Sequence, residues 1–238
     1  MQTFVERVRS LLGFDLSKEK IAALEMYEDA LLEWNQRMNL TAVCDPEGVR
    51  TKHFLDSMTI LTAWEPKSPP GRLIDVGTGA GFPGLVLKLF WPTTQVTLVE
   101  SVGKKADFCR HIVERLGLEQ VTVLAERAEV IGQDPAHRQT YDLAVARAVA
   151  RMPILMEYLL PLVRRHGKVM AMKGETAPAE TQDASRAIQI LGGKLEKLVH
   201  IELPGVVEER FIVVVDKIAQ TPEAYPRRTG QPAKHPLQ

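Results

Sequence analysis

The residues best suited to chemistry lie in one stretch, Leu73 to Gly84, which reads LIDVGTGAGFPG. Leu73, Ile74 and Val76 make an apolar run of strand length around Asp75, and Gly77, Gly79, Gly81 and Gly84 crowd the turn that follows. Glycine allows a tight turn and lets a ligand approach the backbone, while a helix opening just beyond offers its free N–H groups. Pro83 suits the first turn of such a helix, where its missing N–H costs nothing. The pattern is that of a nucleotide-cofactor loop at the carboxyl end of a first strand.

The spacing of Gly79, Gly81 and Gly84 also fits G-x-G-x-x-G, which dinucleotide oxidoreductases share. Two acids favour a different ligand. Asp75 puts a carboxylate at the strand end, where it would repel a pyrophosphate but suit the sulfonium and ammonium of S-adenosylmethionine. Glu100 closes the next apolar run, Gln95 to Glu100, and can accept both ribose hydroxyls. A Tyr-x-x-x-Lys catalytic pair, which the oxidoreductase alternative would call for, is absent.

Further candidates fall at the ends of later strands. Ala125-Glu126-Arg127-Ala128-Glu129 follows the third apolar run, where a carboxylate or backbone group could meet an adenine amino group. An acidic helix start favoured by the helix dipole explains the same residues equally well. Arg147, after the apolar Ala144-Val145-Ala146, is poorly explained as core and could meet a phosphate, a base or a cofactor carboxylate. Lys173-Gly174 closes the fifth run on the same rim. His53 and Asp56 share a helix face at i, i+3, and taken alone they read as a cap and a surface pair. Cys109 falls mid-helix, unsuited to covalent attack, and no N/D-P-P-Y/F tetrad occurs. The missing general base suits an acceptor such as guanine N7, whose lone pair carries no proton; in-line placement and electrostatic accommodation then suffice.

The elements that must hold these groups follow from periodicity. From Arg72 onward strands alternate with helices, as in a parallel sheet covered on both faces. Strands are expected near 72–76, 95–100, 121–124, 141–146 and 167–172, and helices near 83–91, 103–116, 152–164 and 177–191. Two β-rich runs, Leu195–Leu203 and Arg210–Asp216, have no helix between them and should pair antiparallel. The expected fold is therefore α/β: a Rossmann-like class I methyltransferase with a mostly parallel seven-stranded sheet and a C-terminal antiparallel hairpin. Residues 1–66 read as an N-terminal helical extension, with Ser17 capping a helix that carries Ile21, Leu24, Leu31, Leu32 and Trp34, a turn from Trp34 to Thr41, and a further helix from His53 to Trp64. Pro66 to Gly71 is the clearest linker. The cofactor domain is expected over 67–218, and 219–238, with four prolines, forms a basic tail.

Composition sets the bounds. The chain has 238 residues, 45% hydrophobic and 25% charged, with no formal net charge, which is ordinary for a soluble globular protein. No apolar run reaches membrane-spanning length, and the first fifteen residues form an amphipathic pattern rather than a leader. Two isolated cysteines argue against structural zinc and for a reducing compartment. Charge is uneven: residues 1–60 hold 7 Lys/Arg against 10 Asp/Glu, and 147–238 hold 14 against 10, so a local basic face could meet nucleic acid.

DVGTGAGFPG with Glu100, Gly103-Lys104-Lys105, Arg127-Ala128-Glu129 and Arg147-Ala148 resembles the bacterial small-subunit ribosomal RNA guanine-N7 methyltransferases, the glucose-inhibited division protein B family. So do Asn39-Leu40-Thr41, His53-x-x-Asp56-Ser57, Lys173-Gly174 and Tyr225-Pro226-Arg227-Arg228-x-Gly230-x-Pro232. The resemblance implies S-adenosylmethionine as donor and N7 of a guanine in the 530 loop of 16S rRNA as acceptor. It places Gly77 and Phe82 at the cofactor's methionine side, Glu100 at its ribose, Ala128 and Glu129 at its adenine, with Asp75, Gly79 and Gly81 also in the cofactor-binding loop, and Arg147 bordering cofactor and substrate in a positioning role. Asn39, His53, Lys173, Arg227 and Arg228 become candidate RNA contacts. The implied protein is a cytoplasmic monomer that works on the small ribosomal subunit, with no membrane or metal requirement.

Overall fold

The computed structural model describes residues 1–64 and 68–237. A seven-stranded sheet runs through it in the order β3-β2-β1-β4-β5-β7-β6. Strands β1 (Arg72–Val76), β2 (Gln95–Val99), β3 (Val121–Leu124), β4 (Tyr141–Arg147) and β5 (Val163–Lys173) are parallel, while β6 (Gly193–Ile201) and β7 (Arg210–Lys217) form the antiparallel end. β7 inserts beside β5, with Lys173 opposite Phe211 and Lys168 opposite Asp216. The strand order reverses between β1 and β4, where open α/β sheets form their ligand crevice.

Alternation along the strands feeds two cores. Leu73, Leu143, Val145, Met170, Met172, Ile212 and Val214 face helices α5 (Gly84–Phe90) and α6 (Gly103–Arg115). Ile74, Ala144, Ala146, Val169, Ala171, Val213 and Val215 face α8 (Met152–Leu159) and α10 (Ser185–Ile190). The first core continues into the N-terminal helices α1 (Gln2–Leu12) and α2 (Lys18–Met38): Phe4, Val8, Leu24, Tyr27 and Leu31 are buried in it beside Phe82 and Leu85. Ser17 caps α2, accepting from Lys20 N. Of the expected linker, Pro66 and Lys67 lie outside the described residues, as does the expected boundary between 66 and 67.

Several elements differ from their sequence patterns. Helix α2 runs on to Met38, through most of the expected turn; the Trp34 ring, on the helix as expected, meets Phe108 edge-on at 5.4 Å. The turn comes later, where buried Asn35 accepts from Thr41 N and donates to Thr41 O, each at 2.9 Å. A single turn, α3 (Pro46–Gly48), and a π-helical segment, Val49–Leu55, lead without a break into α4 (Asp56–Ala63). Helix α8 stops at Leu159 rather than near 164, because Pro161 lacks an N–H and crowds the residue before it. The helix expected over 177–191 is two, α9 (Ala177–Asp183) and α10, joined at Ala184. Helix α7 (Ala128–Gln133) follows β3, and a last turn, α11 (Gln231–Lys234), lies in the tail. No helix among the described residues is long and apolar enough to cross a membrane.

Candidate active site

The glycine loop is held from beneath. Asp75 is fully buried, and its Oδ2 accepts from Thr78 Oγ1 at 2.6 Å and from Gly84 N at 2.8 Å, so it caps α5. This corrects the expectation that its carboxylate faces a cationic ligand. Its other oxygen, Oδ1, is buried without a hydrogen-bond partner among the described residues, and burial pushes the carboxyl up to about 6. Gly81 is likewise structural: a Cβ there would collide with the Tyr27 hydroxyl, which donates to Ala80 O at 2.5 Å. Phe82 does not line the crevice either. Its ring stacks on Tyr27 at 5.2 Å and on His53 at 4.7 Å.

Gly77 and Gly79 are the members open to a ligand. Both have positive φ, and a Cβ on Gly79 would meet no atom within 4 Å. Gly77 lines a cavity of about 280 Å³ with Ser101, Ala128, Glu129, Val149 and Tyr158, across the ends of β1 to β4. Glu100 stands beside it, accepting from Gly79 N at 2.9 Å and Val102 N at 2.8 Å. A carboxylate has about four acceptor sites, so capacity for two ribose hydroxyls remains. Glu129 is buried, and its Oε1 accepts from Gly230 N at 2.8 Å. These residues fit S-adenosylmethionine: an open glycine turn, a carboxylate with acceptor capacity left over, and Ala128 in the lining of the same cavity.

A second cavity, of about 410 Å³, lies across the end of β4, lined among others by Lys52, His53, Asp56, Arg147, Lys173 and Arg210. Arg147 is its centre. Its Nη1 donates to Asp56 Oδ2 at 2.7 Å and to Lys52 O at 2.9 Å, and its guanidinium lies 5.3 Å from the Phe82 ring centre. Arg147 Nη2 is 3.2 Å from His53 Nδ1. The same Nδ1 lies 3.1 Å from Lys52 O, and Nε2 is 2.8 Å from Thr41 Oγ1. Burial, helped by the Arg147 charge, lowers His53 to about 4 and keeps the ring neutral. Asp56, read from sequence as half of a surface pair, is buried at the junction of Arg147 and Arg210, the latter 3.8 Å from Oδ1.

The remaining RNA candidates divide. Lys173 lines the second cavity, with its ammonium on Glu180 at 2.6 Å and Ala150 O at 3.0 Å. Arg228 is exposed. Asn39 is exposed too, but its left-handed conformation, φ 49, closes α2, a backbone role that Asn tolerates. Arg227 is corrected outright: its Nε and Nη2 grip the fully buried Glu157 at 2.9 and 2.6 Å, so it clamps the tail to α8. Arg210 and Lys52 escaped the sequence reading. The signal was available for Arg210, since the start of an antiparallel strand lies on the same rim as the ends of parallel ones. Cys109 lies within α6, as expected, and is buried with its thiol pushed up by desolvation.

A family model described as rRNA small subunit methyltransferase G matches residues 20–210. Proteins named ribosomal RNA small subunit methyltransferase G are similar along their whole length. That of Roseiflexus sp. (strain RS-1) is 48% identical over 94% of this chain and 95% of its own. That of Pelotomaculum thermopropionicum is 45% identical over 99% and 98%. Among solved structures, a SAM-dependent methyltransferase from Aquifex aeolicus aligns at TM-score 0.54 with 18% identity, over 73% of this chain and 94% of that one. TrmN from Thermus thermophilus aligns at 0.52 with 20% identity, over 69% and 48%. These likenesses carry the fold alone.

Proposed function

The chain belongs to the rRNA small subunit methyltransferase G family, and from that premise we propose that it transfers the methyl group of S-adenosylmethionine to N7 of a guanine in the 530 loop of 16S rRNA. The observation that carries this reading is the end of β4. Val149 lines the glycine-loop cavity, while Arg147 and Ala148 line the basic one. One strand end thus sets a donor site against an acceptor site. Ala148 holds φ 55, a conformation unusual for a residue with a Cβ and concentrated at functional turns.

S-adenosylmethionine supplies, when bound, a methyl group made electrophilic by its sulfonium. Gly77, Glu100 and the Ala128 backbone hold it; the rest is placement by the acceptor cavity. Guanine N7 offers a lone pair and sheds no proton, so Arg147 is a positioning group rather than a base. Its guanidinium is held by Asp56, Lys52 O and His53, and therefore loses little freedom when it meets a base or phosphate. Exposed Lys52 and part-exposed Arg210 widen the positive rim toward the RNA backbone, with Arg228 further along the surface. In this reading the helical extension, 1–66, contributes Lys52, His53 and Asp56 to the acceptor cavity of the 67–218 domain. A monomer acting in the cytoplasm on the small ribosomal subunit fits the arrangement.

The test is transfer of labelled methyl from S-adenosylmethionine to small subunits lacking this modification, followed by mapping of the product. A single N7-methylguanine in the 530 loop is expected. Label at another base, or on a ring atom other than N7, refutes the assignment.

A further inference from the structure

The tail, read from sequence as a basic arm, runs along the cofactor cavity instead. Thr229, Gly230 and Ala233 line that cavity together with Gly77, Ala128 and Glu129. The segment is fixed at several points. Glu157, with no exposed surface, accepts from Arg227 N at 2.8 Å as well as from its side chain. Glu129 accepts from Gly230 N, Arg138 Nη1 donates to Tyr225 O at 2.6 Å, and Gln133 Nε2 donates to Pro226 O at 2.6 Å. A fully buried carboxylate is costly unless its oxygens are satisfied. Among the described residues the satisfying donors all belong to Arg227, so covering Glu157 and seating the tail are one event.

Resting on the cofactor reading above, we propose that residues 225–233 form the adenosine-side wall of the S-adenosylmethionine site, with Arg227 as the positioning residue that holds the wall in place. Two features fix the end of the ligand concerned. The wall meets the chain at Glu129, beyond β3, where the adenine end of a cofactor lying across β1, β2 and β3 must fall. Thr229, Gly230 and Ala233 share their cavity with Val149, whereas Arg147 and Ala148 line the acceptor cavity. The tail therefore binds donor rather than acceptor.

The experiment compares the full-length protein with Ala233→Trp and Arg227→Gln, measuring equilibrium binding of S-adenosylmethionine and of adenosine alone, with melting temperature as control. Ala233 is exposed and lines the cavity, so a tryptophan there adds bulk at the wall without entering the core. Ala233→Trp should weaken both ligands by about tenfold or more, by similar factors, at unchanged melting temperature. Arg227→Gln should do the same with some loss of stability, and Arg227→Lys should restore part of the affinity. Unchanged binding of both ligands in Ala233→Trp overturns the wall, as does a loss confined to S-adenosylmethionine. Failure of the unaltered protein to bind either ligand overturns the cofactor reading itself. Variants that bind cofactor normally but lose 16S rRNA return the tail to an RNA arm.

Discussion

Acidification should destabilise this protein through His53, by an amount that follows from its surroundings. The ring stacks on Phe82 and meets the Arg147 guanidinium, and its pKa is lowered from 6.5 to about 4, first by burial and then by the Arg147 charge. For a base whose folded pKa is depressed, the unfolded chain takes up the proton first. The stability contributed by neutral His53 is therefore complete above about pH 6.5 and is lost as pH falls toward 4. Taking those two values, the loss at about pH 5 is roughly 2 kcal/mol, and partial exposure of the ring brings the expectation to about 1–2 kcal/mol. Asp75 works in the opposite direction: raised to about 6, it binds its proton more readily in the folded state and adds stability as pH falls. The wild-type profile alone would mix the two. The informative quantity is the difference between wild type and His53→Gln, in which Asp75 is common to both. Urea unfolding at neutral pH and near pH 5 gives it, and NMR titration of the His53 ring gives the pKa directly. Stability curves that stay parallel between those conditions, or a ring that titrates near 6.5, refute the reasoning.

Three further outcomes are expected. Gly77→Asp should weaken S-adenosylmethionine binding by about a hundredfold or more, because the new side chain enters the cavity at a position where φ is +68 and Val149 is already in contact; calorimetric titration checks this. Arg147→Ala should lower kcat/KM by about 10²–10³ while costing only about 1–3 kcal/mol of stability, since Arg210 remains near Asp56; a collapsed fold with normal specific activity of the folded fraction would show a merely structural role. Lys217, fully buried, donates to Leu160 O at 2.8 Å and Leu191 O at 3.0 Å, so Lys217→Met should cost about 1–3 kcal/mol in urea unfolding and leave cofactor affinity unchanged.

The local signals in the chain determined a good deal. Period-two runs and the helices between them placed the strands to within a few residues, and the missing helix between Leu195 and Asp216 announced the antiparallel hairpin. The glycine cluster located the loop that borders the cavity lined by Gly77, and Arg147 stood out because an arginine ending an apolar strand has no place in a core. Each of these follows from short-range geometry: the pleat, the helical turn and the steric freedom of glycine.

What only the tertiary structure decided is which way each charged group faces and which distant group it meets. Residues Leu73 to Val76 are all buried, so no alternation reveals that Asp75 points under the loop to cap α5 rather than toward a ligand. Arg227 and Arg228 are adjacent and alike in sequence, yet one clamps Glu157, seventy residues away, and the other lies in solvent. His53 and Asp56 became site residues only when β4 brought Arg147 to them from more than ninety positions along the chain. The partners of a buried charge are chosen by desolvation, which makes any unpaired arrangement costly, and desolvation is a property of the packed molecule that no local stretch of sequence contains.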